Sequence, residues 1–216
     1  MKSPPDALQA IRQRRTLKVL SQAPLPVKPR DENLIHTLIE SAYYAPFHYP
    51  CHQQYRQDKV SPLPWRFYVL DSQACRRLRD SLQQAGKKMG KIALMLNSAD
   101  YLMQVTWCPQ PQPQADSDAL FAGHLVNMEH IAASGAAIQN VLLTATALGY
   151  ENYWSSGGVL RETFTYEQLS IESAEILLAA LFIFPNQAET PATTEYLPSR
   201  RRQRGEISNC YRFIDL

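Results

Sequence analysis

The stretch from Asn127 to Gly158, NMEHIAASGAAIQNVLLTATALGYENYWSSGG, constrains the fold more than any other part of the chain. Ile131, Gly135, Ile138, Leu142, Ala145 and Gly149 recur at helical spacing, and Val141, Leu143 and Leu148 carry apolar character onto other faces. A helix apolar nearly all round is expected to be buried all round. Its first half, residues 132 to 137, consists of small residues that let another backbone approach closely. Gly149 suits the position just past the helix end, where a left-handed residue escapes the Cβ penalty. Tyr150, Tyr153 and Trp154 then lead into Ser155-Ser156-Gly157-Gly158. Two adjacent glycines suit a place where backbone, rather than side chain, meets a flat ligand. A core helix followed by a plain turn is the other reading of the same residues.

The 216 residues, 45% hydrophobic and 19% charged, have ordinary globular composition, enough for one domain (1–216) with a sizeable core. A net charge of +2 argues against a general nucleic-acid binder. No apolar run approaches transmembrane length, and the opening MKSPPDALQA has no apolar leader segment. Cys51, Cys75, Cys108 and Cys210 lie far apart without CxxC spacing. Free thiols in a reduced, cytoplasmic setting are therefore expected, with neither zinc nor disulfides.

In chain order, Asp6 caps an expected short helix through Leu8 and Ile11. The run Arg12-Gln13-Arg14-Arg15-Thr16-Leu17-Lys18 then sets four cations and a hydroxyl within seven residues. Arginine forks and a threonine hydroxyl suit a phosphate; a solvated basic turn is the alternative. Residues 21–30 read as a connecting arm, and Asp31 caps an amphipathic helix ending near Tyr44. From Ala45-Pro46 to Pro64 the chain is irregular. His48, Cys51 and His52 sit close together there but lack a second ligand cluster, so a polar surface loop is expected rather than a metal site. Residues 65–70 read as a strand and 72–97 as a helix, with Arg76, Arg77 and Arg79 on exposed positions. Residues 101–107 form a second strand, and the Pro/Gln-rich segment 108–119 an extended loop. After the central helix come a short helix at 163–169 and a strand at 176–185, apolar throughout and so buried on both faces. A second basic cluster, Arg200-Arg201-Arg202-Gln203-Arg204, follows near the end. The class is α+β.

The order Ile11-x-x-Arg14-Arg15-Thr16-x-Lys18, Ala45-Pro46, Pro64-Trp65-Arg66-Phe67, small-residue helix, Trp154-x-x-Gly157-Gly158 and late arginine cluster resembles the FMN-dependent nitroreductase superfamily across residues 8 to 204. The resemblance implies a nitroreductase-like fold, a mixed four- to five-stranded sheet surrounded by helices, assembled as an intertwined homodimer. It implies FMN at the subunit interface, with the central helix packed on its twin. The FMN phosphate and ribityl chain would be held by Arg14, Arg15, Thr16 and Lys18, joined by Arg200 and Arg202, with Arg201 as an alternative. Pro46 and its loop would border the ring, and a backbone N–H among Ser156, Gly157 and Gly158 would face flavin N5. The implied activity is ping-pong hydride transfer from NADH or NADPH, through flavin N5, to a small conjugated acceptor such as a nitroaromatic or quinone. The hard chemistry belongs to the cofactor, so no catalytic acid–base pair is assigned.

Two stretches depart from the family pattern: Ala99-Asp100 stands where the family commonly has Ala-Pro before the second strand, and the larger departure lies after Pro46. Phe47-His48-Tyr49-Pro50-Cys51 replaces the usual small polar residues and asparagine, and the gap to Trp65 is longer by more than a helical turn. His48 is the candidate substitute for the lost ring-edge contact. Two rival readings stay open: a catalytically inactive flavin-binding or structural relative, and a nucleic-acid binder using residues 12–18 and 200–204.

Overall fold

The computed structural model describes residues 6–55, 61–111, 120–186, 194–196 and 205–214. Two aspartates start helices where expected. Asp6 accepts from Gln9 N at 2.7 Å to open α1 (Ala7–Gln13), and Asp31 accepts from Leu34 N at 2.9 Å to open α2 (Glu32–Tyr43). Between them runs β1 (Lys18–Leu20). Strand β2 (Trp65–Asp71) leads through α3 (Ser72–Gln84) and α4 (Lys91–Ser98) to β3 (Tyr101–Trp107). The long helix α5 (Leu125–Ala147) precedes β4 (Glu151–Ser155), a 3-10 turn (Gly158–Arg161), α6 (Thr163–Leu169), β5 (Ile176–Phe184) and β6 (Thr194–Tyr196).

The main sheet has four strands in the order β2-β3-β5-β4, each neighbouring pair antiparallel; β1 and β6 form a separate antiparallel ribbon. Among the described residues the parallel element is a single bridge between Thr16 and Asn152. Strand alternation sorts the core into two layers. Leu102, Ala180, Phe182 and Phe184 face α3 and α4, while Met103, Val105, Ala179, Leu181 and Ile183 face α2 and α5. This double covering explains the unbroken apolar run in β5. A register shift where Val105 pairs Ala179 but Thr106 pairs Leu177 leaves Leu178 as the extra residue. The bulge turns Leu177 onto the α3–α4 face, toward the segment after β4.

Three sequence expectations need correction. Residues 72–97 are two helices, because α3 closes at Gly86: its N–H bonds the Gln83 carbonyl at 3.0 Å and Lys87 N that of Leu82 at 2.9 Å. The same pair of bonds closes α5, from Gly149 N to Thr146 and from Tyr150 N to Ala145, as Gly149 led us to expect. Arg76 is buried rather than exposed, its Nη1 donating to the carbonyls of Leu96 and Ala99 at the end of α4. Finally, α5 is buried on one side only. Ala133, Ala137, Ile138, Val141, Leu142 and Ala145 meet the core, but Leu125, Met128 and Ala132 are exposed. An outer-layer helix has one face toward the sheet, whatever its composition. No described helix is long and apolar enough to cross a membrane.

Candidate functional site

The segment after α1 alternates in and out. Leu17 and Val19 enter the core, leaving Thr16 and Lys18 half-buried on the other side, with Arg15 exposed. Arg14 ends α1, its N–H on the Ala10 carbonyl at 2.8 Å, and its Nη1 lies 3.4 Å from Thr16 Oγ1. Leu17 N donates to the Asn152 carbonyl at 3.1 Å, fixing this segment beside β4. Lys18 Nζ sits 4.6 Å from the centroid of the Tyr153 ring. Asn152 is itself immobilised: its buried Nδ2 donates to the Leu142 carbonyl at 3.2 Å and to Thr146 Oγ1 at 2.9 Å, tying β4 to α5.

Three residues further along β4 the chain makes the Ser155–Gly158 turn. Gly157 N donates to Ser155 Oγ at 3.2 Å, Arg161 Nε donates to the Ser156 carbonyl, and Leu160 N bonds the Gly157 carbonyl at 3.0 Å. Gly157 has φ 109° and Gly158 φ 54°. A Cβ at Gly157 would lie 2.7 Å from Leu177 Cδ2 and 3.0 Å from Arg161 Cγ. The Gly157 N–H is thus consumed within the turn, while the Gly158 N–H, at the head of the 3-10 turn, has no acceptor among the described residues.

Arg14, Arg15, Thr16 and Lys18 are therefore joined through one strand to Ser156, Gly157 and Gly158. Arg200 and Arg202, with the alternative Arg201, lie outside the described residues. Residues 194–196, a few positions earlier, are described: Tyr196 pairs with Lys18 across the β1–β6 ribbon. Pro46 and His48 form a second group. With Phe47 they line a mostly apolar cavity of about 300 Å³ against Glu129, Ala132, Ala133 and Ala136 of α5. His48 Nδ1 lies 3.0 Å from Glu129 Oε2.

The loop holding His48 is not purely a polar surface excursion. Cys51 is buried, its N–H bonded to the Pro62 carbonyl at 2.9 Å. All four cysteines are free. Burial pushes the Cys75 thiol up to about 12 and that of Cys108 up to about 11, the latter despite the neighbouring Arg66. Both remain protonated thiols at neutral pH, unsuited to nucleophilic work.

Sequence reasoning missed Asn152 and Arg161, and gave Ser155 no role of its own, although all three shape the turn. It also missed His130, buried on α5, whose Nδ1 accepts from Trp107 Nε1 at 3.2 Å. Burial holds the His130 pKa below its ordinary value, opposed by the nearby Tyr49 and Pro50 backbone. As pH falls, the unfolded chain takes up this proton before the folded one does. The associated stability is whole above about pH 6.5 and is lost progressively below it. The denaturation midpoint should accordingly drop between about pH 7 and pH 5.5, with a smaller drop in His130→Gln. Equal pH slopes in the two proteins would remove His130 from this account.

A model of the Nitroreductase family matches residues 11–184, and the chain belongs to that family. Its fold matches the nitroreductase-like family protein from Bacillus cereus, at 20% identity and TM-score 0.65, over 100% of this chain and 99% of that one. It also matches a nitroreductase with bound FMN from Desulfitobacterium hafniense, at 14% identity and TM-score 0.56, over 100% of both chains. A third, a nitroreductase with bound FMN from Bacteroides fragilis, aligns at 15% identity and TM-score 0.53, over 84% of this chain and 89% of that one. At these identities the likeness is one of fold. No curated relative matches the chain.

Proposed function

We propose that this protein is an FMN-dependent NAD(P)H oxidoreductase that delivers hydride to a conjugated acceptor such as a nitroaromatic or a quinone, acting as a cytoplasmic homodimer. One observation carries the reading: the basic segment 14–18 and the glycine turn 156–158 are anchored to the same strand, β4. The donors fit the cofactor. Arg14, Arg15, Thr16 and Lys18 offer charge and hydrogen bonds to a phosphate dianion, and Arg200 and Arg202 follow soon after the segment that pairs with Lys18. The open Gly158 N–H suits a ring nitrogen. The bound FMN of the D. hafniense and B. fragilis proteins supports the same cofactor here.

When bound, FMN supplies a centre, N5, that accepts and donates hydride. The chain's own work is to bind and orient. The cations neutralise the phosphate, and the Ser155 and Arg161 contacts hold the turn that carries the Ser156 and Gly158 N–H groups. Pro46 and His48, set on α5, would border the ring from the second group. The exposed side of α5, with Leu125, Met128 and Ala132, fits close packing against its twin.

His48→Ala should weaken FMN binding by about three- to tenfold, the loss of one polar contact, measured by titrating apoprotein; unchanged affinity would exclude His48 from the ring edge. Turnover itself is tested by steady-state kinetics with NADH or NADPH and a quinone. Parallel double-reciprocal lines are expected, because donor and acceptor occupy one site in turn. Intersecting lines would contradict this, and absence of turnover would favour a non-catalytic relative.

A further inference from the structure

Glu175 stands immediately before β5 and is 3% exposed. Its Oε1 accepts from Tyr68 OH of β2 at 2.7 Å, its Oε2 accepts from Thr106 Oγ1 of β3, and Arg66 Nη1 lies 3.6 Å from Oε1. Arg66 pairs with Thr106, and Tyr68 lies two residues further along β2. These donors therefore share one side of the sheet, the α3–α4 side of Leu70, Leu102 and Leu177. Glu175 reaches them only because of the bulge in β5. Thr106 pairs with Leu177 and Val105 with Ala179, so Leu178 is the extra residue and packs on the α2–α5 side. Without it, Thr106 would pair with Leu178 and Trp107 with Leu177, and every side chain before Ala179 would change sides. Glu175 would then lose Tyr68, Thr106 and Arg66 and turn its carboxylate into the apolar α2–α5 layer, a costly burial of charge. Leu177 would leave Gly157 in the same step.

We propose that Glu175 is the positioning residue that pins the β5 bulge and, through it, holds Leu177 against the Gly157–Gly158 turn. Tyr68, Thr106 and Arg66 meet the carboxylate from one side of the sheet, so they select the bulged register over the regular one. Leu177 N, donating to Tyr166 OH at 2.9 Å, secures the same residue from α6. Bulges re-aim side chains beside functional sites, and the side chain re-aimed here is the one whose Cδ2 closes on Gly157. The pin itself needs only the sheet, whereas its bearing on FMN rests on the function proposed above.

The test is a double-mutant cycle in the full chain. It measures by what factor Gly157→Ala lowers the folding equilibrium constant in the parent, in Glu175→Gln and in Glu175→Met. Glutamine keeps an acceptor for Tyr68 and a donor that the Thr106 hydroxyl can accept, so the bulge stays. Methionine has similar size but nothing to hold the bulge, and it can face either layer. In Glu175→Met the Gly157→Ala factor should shrink at least about tenfold, because Leu177 is free to withdraw, and in Glu175→Gln it should stay within about twofold of the parent value. The same factor in all three backgrounds would overturn the proposal, and so would equal relief in Glu175→Gln and Glu175→Met. If Glu175→Met does not fold, Thr106→Val takes its place, removing one donor from the carboxylate. It should shrink the factor about fivefold, and no relief there would overturn the proposal. FMN titration of the Glu175 variants separates the pin from the proposed function. Coupling with weakened FMN binding in Glu175→Met, restored in Glu175→Gln, supports both. Coupling with unaltered FMN affinity supports the pin and counts against the turn's place at the flavin.

Discussion

Gly157→Ala should lose about 2–5 kcal/mol of stability, the largest effect expected of any single methyl addition in the candidate site. Two costs combine. The left-handed backbone at φ 109° is disfavoured for any residue with a Cβ, by about 1–2 kcal/mol. The new methyl would also stand 2.7 Å from Leu177 Cδ2, a contact that forces repacking at about 1–3 kcal/mol. Leu177 cannot retreat easily, because it is 1% exposed and the β5 bulge aims it at the turn. Gly158→Ala offers the comparison. Its φ of 54° is an accessible left-handed conformation, and the added methyl would meet only the terminal Cδ1 of Ile92, at 3.0 Å. That variant should lose about 1–2 kcal/mol. Denaturant unfolding of both variants checks the ranking, and equal losses would show that Leu177 does not limit the turn.

The second large effect concerns the basic segment. Replacing Arg14 and Arg15 together by alanine should weaken FMN binding on the order of 100-fold or more, since each charge-assisted bond to a phosphate contributes about 1.5–3 kcal/mol. Riboflavin, which has the same ring without the phosphate, should bind parent and variant alike to within about threefold. Equal losses for both ligands would mean that the arginines support the fold rather than grip phosphate, and no loss for either would remove them from the site. The fold itself should tolerate the change: Arg15 is exposed, and the segment is anchored by Leu17 and Val19, which stay in the core.

Much of the fold was legible because local chemistry determined it. Asp6 and Asp31 marked two helix starts, Gly149 marked the end of α5, and the apolar run at 176–184 announced a central strand. Strand β4 was not recognised, since ENYWS is short and half-exposed, and its pairing with β5 is decided only in three dimensions. The break at Gly86 was hidden because Leu78, Leu82, Ala85, Met89, Ile92 and Leu96 read as one buried stripe that continues through it. Arg76 resembled its exposed neighbours in sequence, and only the carbonyl ends of α4 give its charge a buried partner. Family membership was legible from the order of motifs, none of them decisive alone. Asn152, Arg161 and His130 were illegible for a common reason. Each acts on backbone groups or rings brought near by tertiary packing, which leaves no spacing pattern in the chain.

The most direct test of the central claim is an anaerobic absorption spectrum of the purified protein with FMN, before and after NADH or NADPH is added. Bound-flavin bands that bleach with the nicotinamide, and return when a quinone follows, are what a reductase built on β4 and its glycine turn requires. Protein that stays colourless in excess FMN, or flavin bands that no nicotinamide bleaches, would contradict it.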